Sequence, residues 1–217
     1  MRYYSSGELD RLRESVTAGL SEKRARHVLG VEIETERLCK LLLPGEENES
    51  TMRAAALLHD ITKEYTVEEH VRILRGSGVE PTEIELAAPK TLHAISGECL
   101  IRSSMTLFCD PDVLSAVRWH TTGRAAMSLP EKILYLADYI EPYRVWPDCV
   151  ELRSRFWDAE PEKMTPDELE KHLRDVLILS FDMTLKTLIE DGTPVHPATN
   201  EARNGLLRER AASEEKN

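Results

Sequence analysis

His59 and Asp60 stand side by side at the end of the run Ala54-Ala55-Ala56-Leu57-Leu58-His59-Asp60-Ile61-Thr62-Lys63. The small and apolar residues before them predict a buried helix. Burying an imidazole and a carboxylate without partners costs roughly 2–7 kcal/mol per polar group, and a bound metal would supply the partner. His27, His93, His120 and Asp138 are the other candidates, each within or at the end of an apolar helical pattern. Imidazoles with carboxylates suit first-row metals such as iron, manganese, cobalt or zinc. Six such groups exceed one tetrahedral site. They suit two ions about 3.5–4 Å apart with one carboxylate between them. Spacing alone does not bring these residues together, and a single histidine on an apolar face is as readily a hydrogen-bonded core residue.

The elements that must position them read as helices throughout. Leu9, Leu12 and Val16 mark a first short helix over 7–19. Ser21 caps a second running to about Leu43, on which His27, Val31, Glu34 and Leu38 share a face. Pro44-Gly45 breaks it, 46–50 reads as a polar loop, and Ser50 is the expected cap of the central helix. Thr66 and Glu69 form a capping box for a helix to about Arg75. Pro81 and Pro89 bracket a short helix or turn, and Thr91 opens the helix that carries His93. Asp110-Pro111 starts one that ends at Trp119-His120. A loop follows over 121–124, then a helix from Pro130 to about Ile140 that holds Asp138. Residues 147–161 predict a short helix and a turn, Thr165 opens a long helix closing at Asp191-Gly192, and a last helix follows His196-Pro197. No strand alternation persists. The expected fold class is all-α, with 1–20 an N-terminal helix, 21–210 a single globular helical domain and 211–217 a polar, frayed tail. His70 and His172, among charges, are expected to face solvent, and Trp119 to fill the core.

Composition narrows the class. The chain has 217 residues, 41% apolar and 31% charged, with a net charge of -11. That charge argues against nonspecific nucleic-acid binding, and it requires local cations wherever phosphate is to be held. No apolar run reaches the roughly 20 residues of a membrane span, and the N-terminus lacks the apolar stretch of a signal peptide. Cys39, Cys99, Cys109 and Cys149 lie far apart without a Cys-x-x-Cys pair, as reduced thiols of a cytoplasmic protein do.

The order His, His-Asp, His, His, Asp resembles the HD-domain metal-dependent phosphohydrolases. Longer strings resemble one bacterial branch, the symmetrical bis(5'-nucleosyl)-tetraphosphatases: Ala-Leu-Leu-His-Asp-Ile-Thr-Lys-Glu at 56–64, Leu-His at 92–93, Trp-His-Thr-Thr-Gly-Arg at 119–124, Glu-Lys-Ile-Leu-Tyr-Leu-Ala-Asp-Tyr-Ile-Glu-Pro at 131–142 and His-Pro-Ala-Thr-Asn-Glu-Ala-Arg-Asn at 196–204. The resemblance runs from about Ser21 to Leu207. It implies an HD-type helical fold that binds two divalent or mixed-valence ions, iron foremost with manganese or cobalt as substitutes. The implied reaction splits a dinucleoside polyphosphate, diadenosine tetraphosphate, into two molecules of the nucleoside diphosphate ADP. Carried over, His27, His59, Asp60 and Asp138 would hold one ion and Asp60, His93 and His120 the other. The chain departs from the pattern at Ala94-Ile95 and at Tyr143, beside the implied site, where pocket shape and substrate choice are set.

Water held between two such ions ionises near neutral pH and can attack phosphorus in line. Asp60, Lys63 and Arg124 are the expected catalytic residues. Lys63, one helical turn beyond Asp60, is read as a phosphate ligand. Arg124, after His120, can grip phosphate through two parallel hydrogen bonds, with Thr121 and Thr122 adding donors and His93 and His120 bordering the substrate. Arg144 and Arg203 complete the expected substrate contacts, although each arginine could instead pair with the acidic surface. The competing readings are another HD-type nucleotide phosphohydrolase or phosphodiesterase, and a noncatalytic nucleotide-binding regulator. Neither a nucleic acid nor a membrane is an expected partner, and the first helix and 166–190 offer faces for a homodimer.

Overall fold

Polar caps set where the helices of this chain begin. The fold is seen in a computed structural model that describes residues 1–214. Eleven α-helices and three short 3-10 turns, with no strand, make up the secondary structure of the described residues. Ser5, Thr66, Thr82, Ser128 and Thr165 each close a reciprocal capping box with the glutamate three residues on, at the starts of α1 (Ser6–Ala18), α4 (Val67–Gly76), α5 (Glu83–Ala87), α8 (Leu129–Ile140) and α10 (Pro166–Glu190). Ser21 caps α2 (Glu22–Leu42), and Asp110 with Pro111 opens α7 (Pro111–Trp119). α3 spans Glu46–Leu58, α6 Leu92–Ser104, α9 Pro147–Trp157 and α11 Pro197–Glu214.

α3 is the centre of the packing. Residues Ala54 to Leu58 are all 0% exposed. Five consecutive buried positions turn through more than a full helical circle, so this helix is enclosed on every side. α1, α2, α7 and α8 surround it. The three alanines let these neighbours approach, and Leu9, Leu12 and Val16 of α1 join the same core cluster. α6 packs on α4 and α7, while α10 pairs with α11. The four cysteines are free thiols, three of them buried.

Several expectations are corrected. The central helix starts at Glu46, not after Ser50: acidic residues at 46, 47 and 49 complement the positive end of the helix. Ser50 is buried within it, where its Oγ accepts from the Tyr4 amide at 3.0 Å. His59 and Asp60 lie just past that helix, in the turn that follows. His70 is buried rather than solvent-facing, 3% exposed on the face it shares with Leu74 against α6. His172 is half-buried: its Nε2 donates to Phe156 O at 2.9 Å and its ring stacks on Phe156. Trp119 is half-buried under the guanidinium of Arg118. α11 runs to Glu214, through the start of the expected tail, and residues 215–217 of that tail lie outside the described residues.

Candidate metal centre

Three helices end at one place and a fourth begins there. His59 follows the last residue of α3, His120 follows that of α7, Asp138 sits in the last turn of α8, and His93 sits in the first turn of α6. A helix end leaves backbone carbonyls without amide partners; His59 and His120 use carbonyls in the last turns of α3 and α7, and His93 uses one in the 3-10 turn Pro89–Thr91 before α6. Each imidazole donates from Nδ1 to the carbonyl three residues back: His59 to Ala56 at 2.7 Å, His93 to Lys90 at 2.8 Å and His120 to Val117 at 2.7 Å. The proton on Nδ1 fixes the tautomer, so each Nε2 presents a lone pair to the centre.

Asp60 lies between these rings, 1% exposed. Its Oδ1 is 3.2 Å from His93 Nε2 and 3.6 Å from His120 Nε2. Its Oδ2 is 3.5 Å from His59 Nε2 and 3.6 Å from His27 Nε2. The two oxygens thus face two separate pairs of imidazoles. Asp138 Oδ1 closes the second pair, 3.0 Å from His27 and 3.9 Å from His59. The structure therefore gathers all six expected metal residues, and His27, His59 and Asp138, or His59, Asp60 and His120, present ligand atoms within 4.8 Å of one another.

The donor set fits cations. Asp60 Oδ1 is buried with no hydrogen-bond partner among the described residues, and His93 Nε2 faces His120 Nε2 at 2.9 Å although both carry lone pairs. A positive ion satisfies such an arrangement. The chain's own cations crowd the same place. Arg24 Nη1 donates to Asp60 Oδ2 at 2.6 Å, Arg144 Nη2 to Asp138 Oδ1 at 2.6 Å, and Lys63 Nζ lies 3.0 Å from His93 Nε2 and 3.7 Å from Asp60 Oδ1.

Burial acts against the Asp60 charge, but His59 and Lys63 outweigh it and hold the carboxyl well below the usual range, and Arg24 acts in the same direction. Asp138 is held down likewise, burial being outweighed by Arg144 and then by the His27 hydrogen bond. Burial lowers His59. Burial and then Lys63 push His93 down to about 3. His27 goes the other way: burial would lower it, yet hydrogen bonds with Asp138 and Glu141 raise it above its ordinary value.

The remaining expected residues divide. Thr121 joins the centre, its Oγ1 3.1 Å from Nε2 of both His93 and His120. Thr122 turns away and donates to Gly123 O at 2.9 Å. Arg124 is committed elsewhere: its Nε bonds both oxygens of Glu131, at 2.9 and 3.0 Å, and it makes no bond to the cluster. Glu131 is fully buried and already accepts from Ser115 and the Ser128 amide, so it needs that charge. Arg203 pairs with Asp182 across α10 and α11.

Arg24 and Glu141 were not among the expected residues. Glu141, 2% exposed, accepts from His27 Nδ1 at 3.2 Å and from the Tyr143 amide at 2.6 Å. It reaches α2 because Gly30 leaves room: a Cβ there would lie 2.2 Å from Glu141 Oε2. Arg24, His27 and Gly30 recur at three-residue steps, which was the signal available for Arg24.

The departures at 94–95 and 143 also find places. Ala94 and Ile95 are buried, and beside them Ser96 Oγ lies 2.7 Å from His70 Nδ1 and 3.0 Å from Thr62 Oγ1, which donates to His93 O at 2.9 Å. The shortest contacts thus run from His70 through two hydroxyls to the backbone of His93. The Tyr143 ring lies against Gly30, under Arg26 at 4.6 Å.

The HD domain profile matches residues 24–143. A protein of Halalkalibacterium halodurans named symmetrical bis(5'-nucleosyl)-tetraphosphatase is 33% identical over 190 residues, covering 88% of this chain and 92% of its own. Its namesake from Bacillus subtilis is 31% identical over 188 residues, covering 87% and 91%. A crystal structure from Clostridium acetobutylicum, described as a predicted HD superfamily hydrolase involved in NAD metabolism, is 34% identical and superposes with a TM-score of 0.79 over 95% of this chain and 99% of that one.

Proposed function

The chain belongs to the HD-domain family, in the branch of the symmetrical bis(5'-nucleosyl)-tetraphosphatases, and from that premise we propose that it hydrolyses dinucleoside tetraphosphates, diadenosine tetraphosphate first, to two nucleoside diphosphates. The observation that carries the reading is Asp60, whose two oxygens each face a pair of inward imidazoles. His27, His59, Asp60 and Asp138 would hold metal on one side of the cluster, and Asp60, His93 and His120 on the other. The donors suit iron, manganese or cobalt. Ions bound there would acidify water and draw charge from phosphoryl oxygens.

The chain's own residues do the rest. Lys63, beside Asp60 and open to the adjoining cleft, meets a phosphate oxygen with its ammonium. The Thr121 hydroxyl is a donor at the same edge. Arg144 anchors Asp138 and lines the cleft, where its charge offsets that of an incoming polyphosphate. Glu141 holds the His27 ring from behind. Together these cations give the phosphate chain a positive footing on a chain whose net charge is -11.

Incubation of iron- or manganese-loaded protein with diadenosine tetraphosphate tests the reading. The expected product is ADP alone, two per substrate. AMP with ATP, or free phosphate, would overturn it.

A further inference from the structure

From the metal centre a cleft of about 440 Å³ runs outward. Lys63, His120, Thr121, Asp138 and Arg144 line it at the phosphate end, and Trp146, Pro147, Thr187 and Leu188 line it farther out. We infer that the indole of Trp146 is the stacking face for the nucleobase of the bound nucleotide, so that the cleft takes a nucleoside diphosphate unit with its phosphates toward Lys63 and Arg144 and its base on Trp146. The inference rests on the proposed phosphohydrolase reading and adds the other half of the ligand.

The three tryptophans of the chain make the contrast. Trp119 and Trp157 are half-buried, and each is covered by a guanidinium, from Arg118 at 4.5 Å and Arg37 at 3.9 Å. Trp157 also donates from Nε1 to Glu34 at 2.6 Å. Trp146 is 66% exposed, and among the described residues neither a ring nor a cation lies over it. A single exposed apolar residue needs no explanation, but this one walls the cleft that begins at the metal ligands.

It is also held in place. Arg153 donates to Ile140 O at 2.7 Å and to Arg144 O at 2.8 Å, pinning the turn between α8 and α9. Pro147 then fixes the backbone at the first position of α9. Arg144, two residues before Trp146, bonds Asp138. One short, braced segment therefore carries both the arginine at the phosphate end and the indole farther out. Aromatic stacking tolerates any base and favours the larger purine face.

Calorimetric titration of manganese-loaded protein with ADP and with inorganic pyrophosphate, in the wild type and in Trp146→Ala and Trp146→Phe, tests this. Trp146→Ala is expected to weaken ADP binding roughly tenfold or more and leave pyrophosphate unchanged, and Trp146→Phe is expected to restore most of the loss. The Michaelis constant for diadenosine tetraphosphate should rise in parallel, with kcat changed much less. If the wild type binds both probes and Trp146→Ala binds ADP equally well, the stacking face is wrong, whatever that variant does to self-association. A wild type that binds neither probe overturns the phosphohydrolase reading and the stacking face with it.

Discussion

The Nε2 atoms of His93 and His120 lie 2.9 Å apart, and each ring already donates from Nδ1 to a backbone carbonyl. Lone pairs so close repel unless positive charge sits beside them; Lys63 Nζ stands 3.0 Å from His93 Nε2, and a divalent ion between the rings would offset the repulsion more strongly. Added manganese or iron should therefore stabilise the fold, by about 2.7 kcal/mol at a hundredfold excess over Kd. For a chain of this size that is a rise in Tm of about 5–10 °C. A melting curve unmoved by saturating metal would contradict the donor geometry.

Asp60→Asn removes one of the two charged oxygens that face the imidazole pairs. Turnover should fall to background, and bound metal measured by mass spectrometry should drop, while the far-ultraviolet circular dichroism stays helical. Full activity in this variant would refute a shared carboxylate.

His27 gives a pH dependence of definite sign. Its folded pKa is raised above 6.5 by Asp138 and Glu141 against the effect of burial. Without metal, the stability it contributes is present below 6.5 and is lost as pH rises through the raised value. A metal at its Nε2 needs the ring unprotonated. Loading should therefore release protons and weaken as pH falls through that range. His93, held down at about 3, adds nothing to this window. Calorimetry at pH 6.5 in buffers of different ionisation enthalpy reads the protons directly, and none released would remove His27 from the ligand set.

Gly30→Ala tests the support behind that ligand. The new Cβ would lie 2.2 Å from Glu141 Oε2 and 2.9 Å from the Tyr143 ring, so Glu141 must leave His27. Stability should fall by about 1–3 kcal/mol, and metal affinity or activity about 10–100-fold. Normal metal affinity in a folded variant would show that His27 needs no such brace.

Arg124→Ala separates support from substrate contact. Glu131 is 0% exposed, and Arg124 is the cation paired with it. Leaving that carboxylate without its charged donor should cost about 1–3 kcal/mol, read as a lower Tm. The Michaelis constant of the remaining folded protein should change little. A Tm equal to wild type together with a tenfold higher Michaelis constant would return Arg124 to the phosphate.

Much of this was legible in the sequence. Thr66, Asp110 and Thr165 announced their helices because side-chain caps act within three residues, a range the sequence displays. The six ligand-type residues were legible as types, and their order supplied the resemblance that joined them. What the sequence hid were pairings across distance. From the sequence Arg124 reads as a phosphate ligand, because its partner Glu131 lies seven residues on, beyond a loop and inside α8. His70 looked exposed beside Glu68, Glu69 and Arg72, although Leu74, one turn on, marked its face as apolar. Glu141 looked like a helix stop, and only the gap at Gly30 reveals it as the brace of His27.

Along α2 the order of Arg24, His27 and Gly30 amounts to a ruler: a charge, a ring and a notch, each one helical step from the next. A single inserted or deleted residue would swing everything on one side of it by about 100°, sending ring or notch into solvent. Length changes in this chain should therefore be tolerated in the 44–45 and 77–81 connections and not between Arg24 and Gly30.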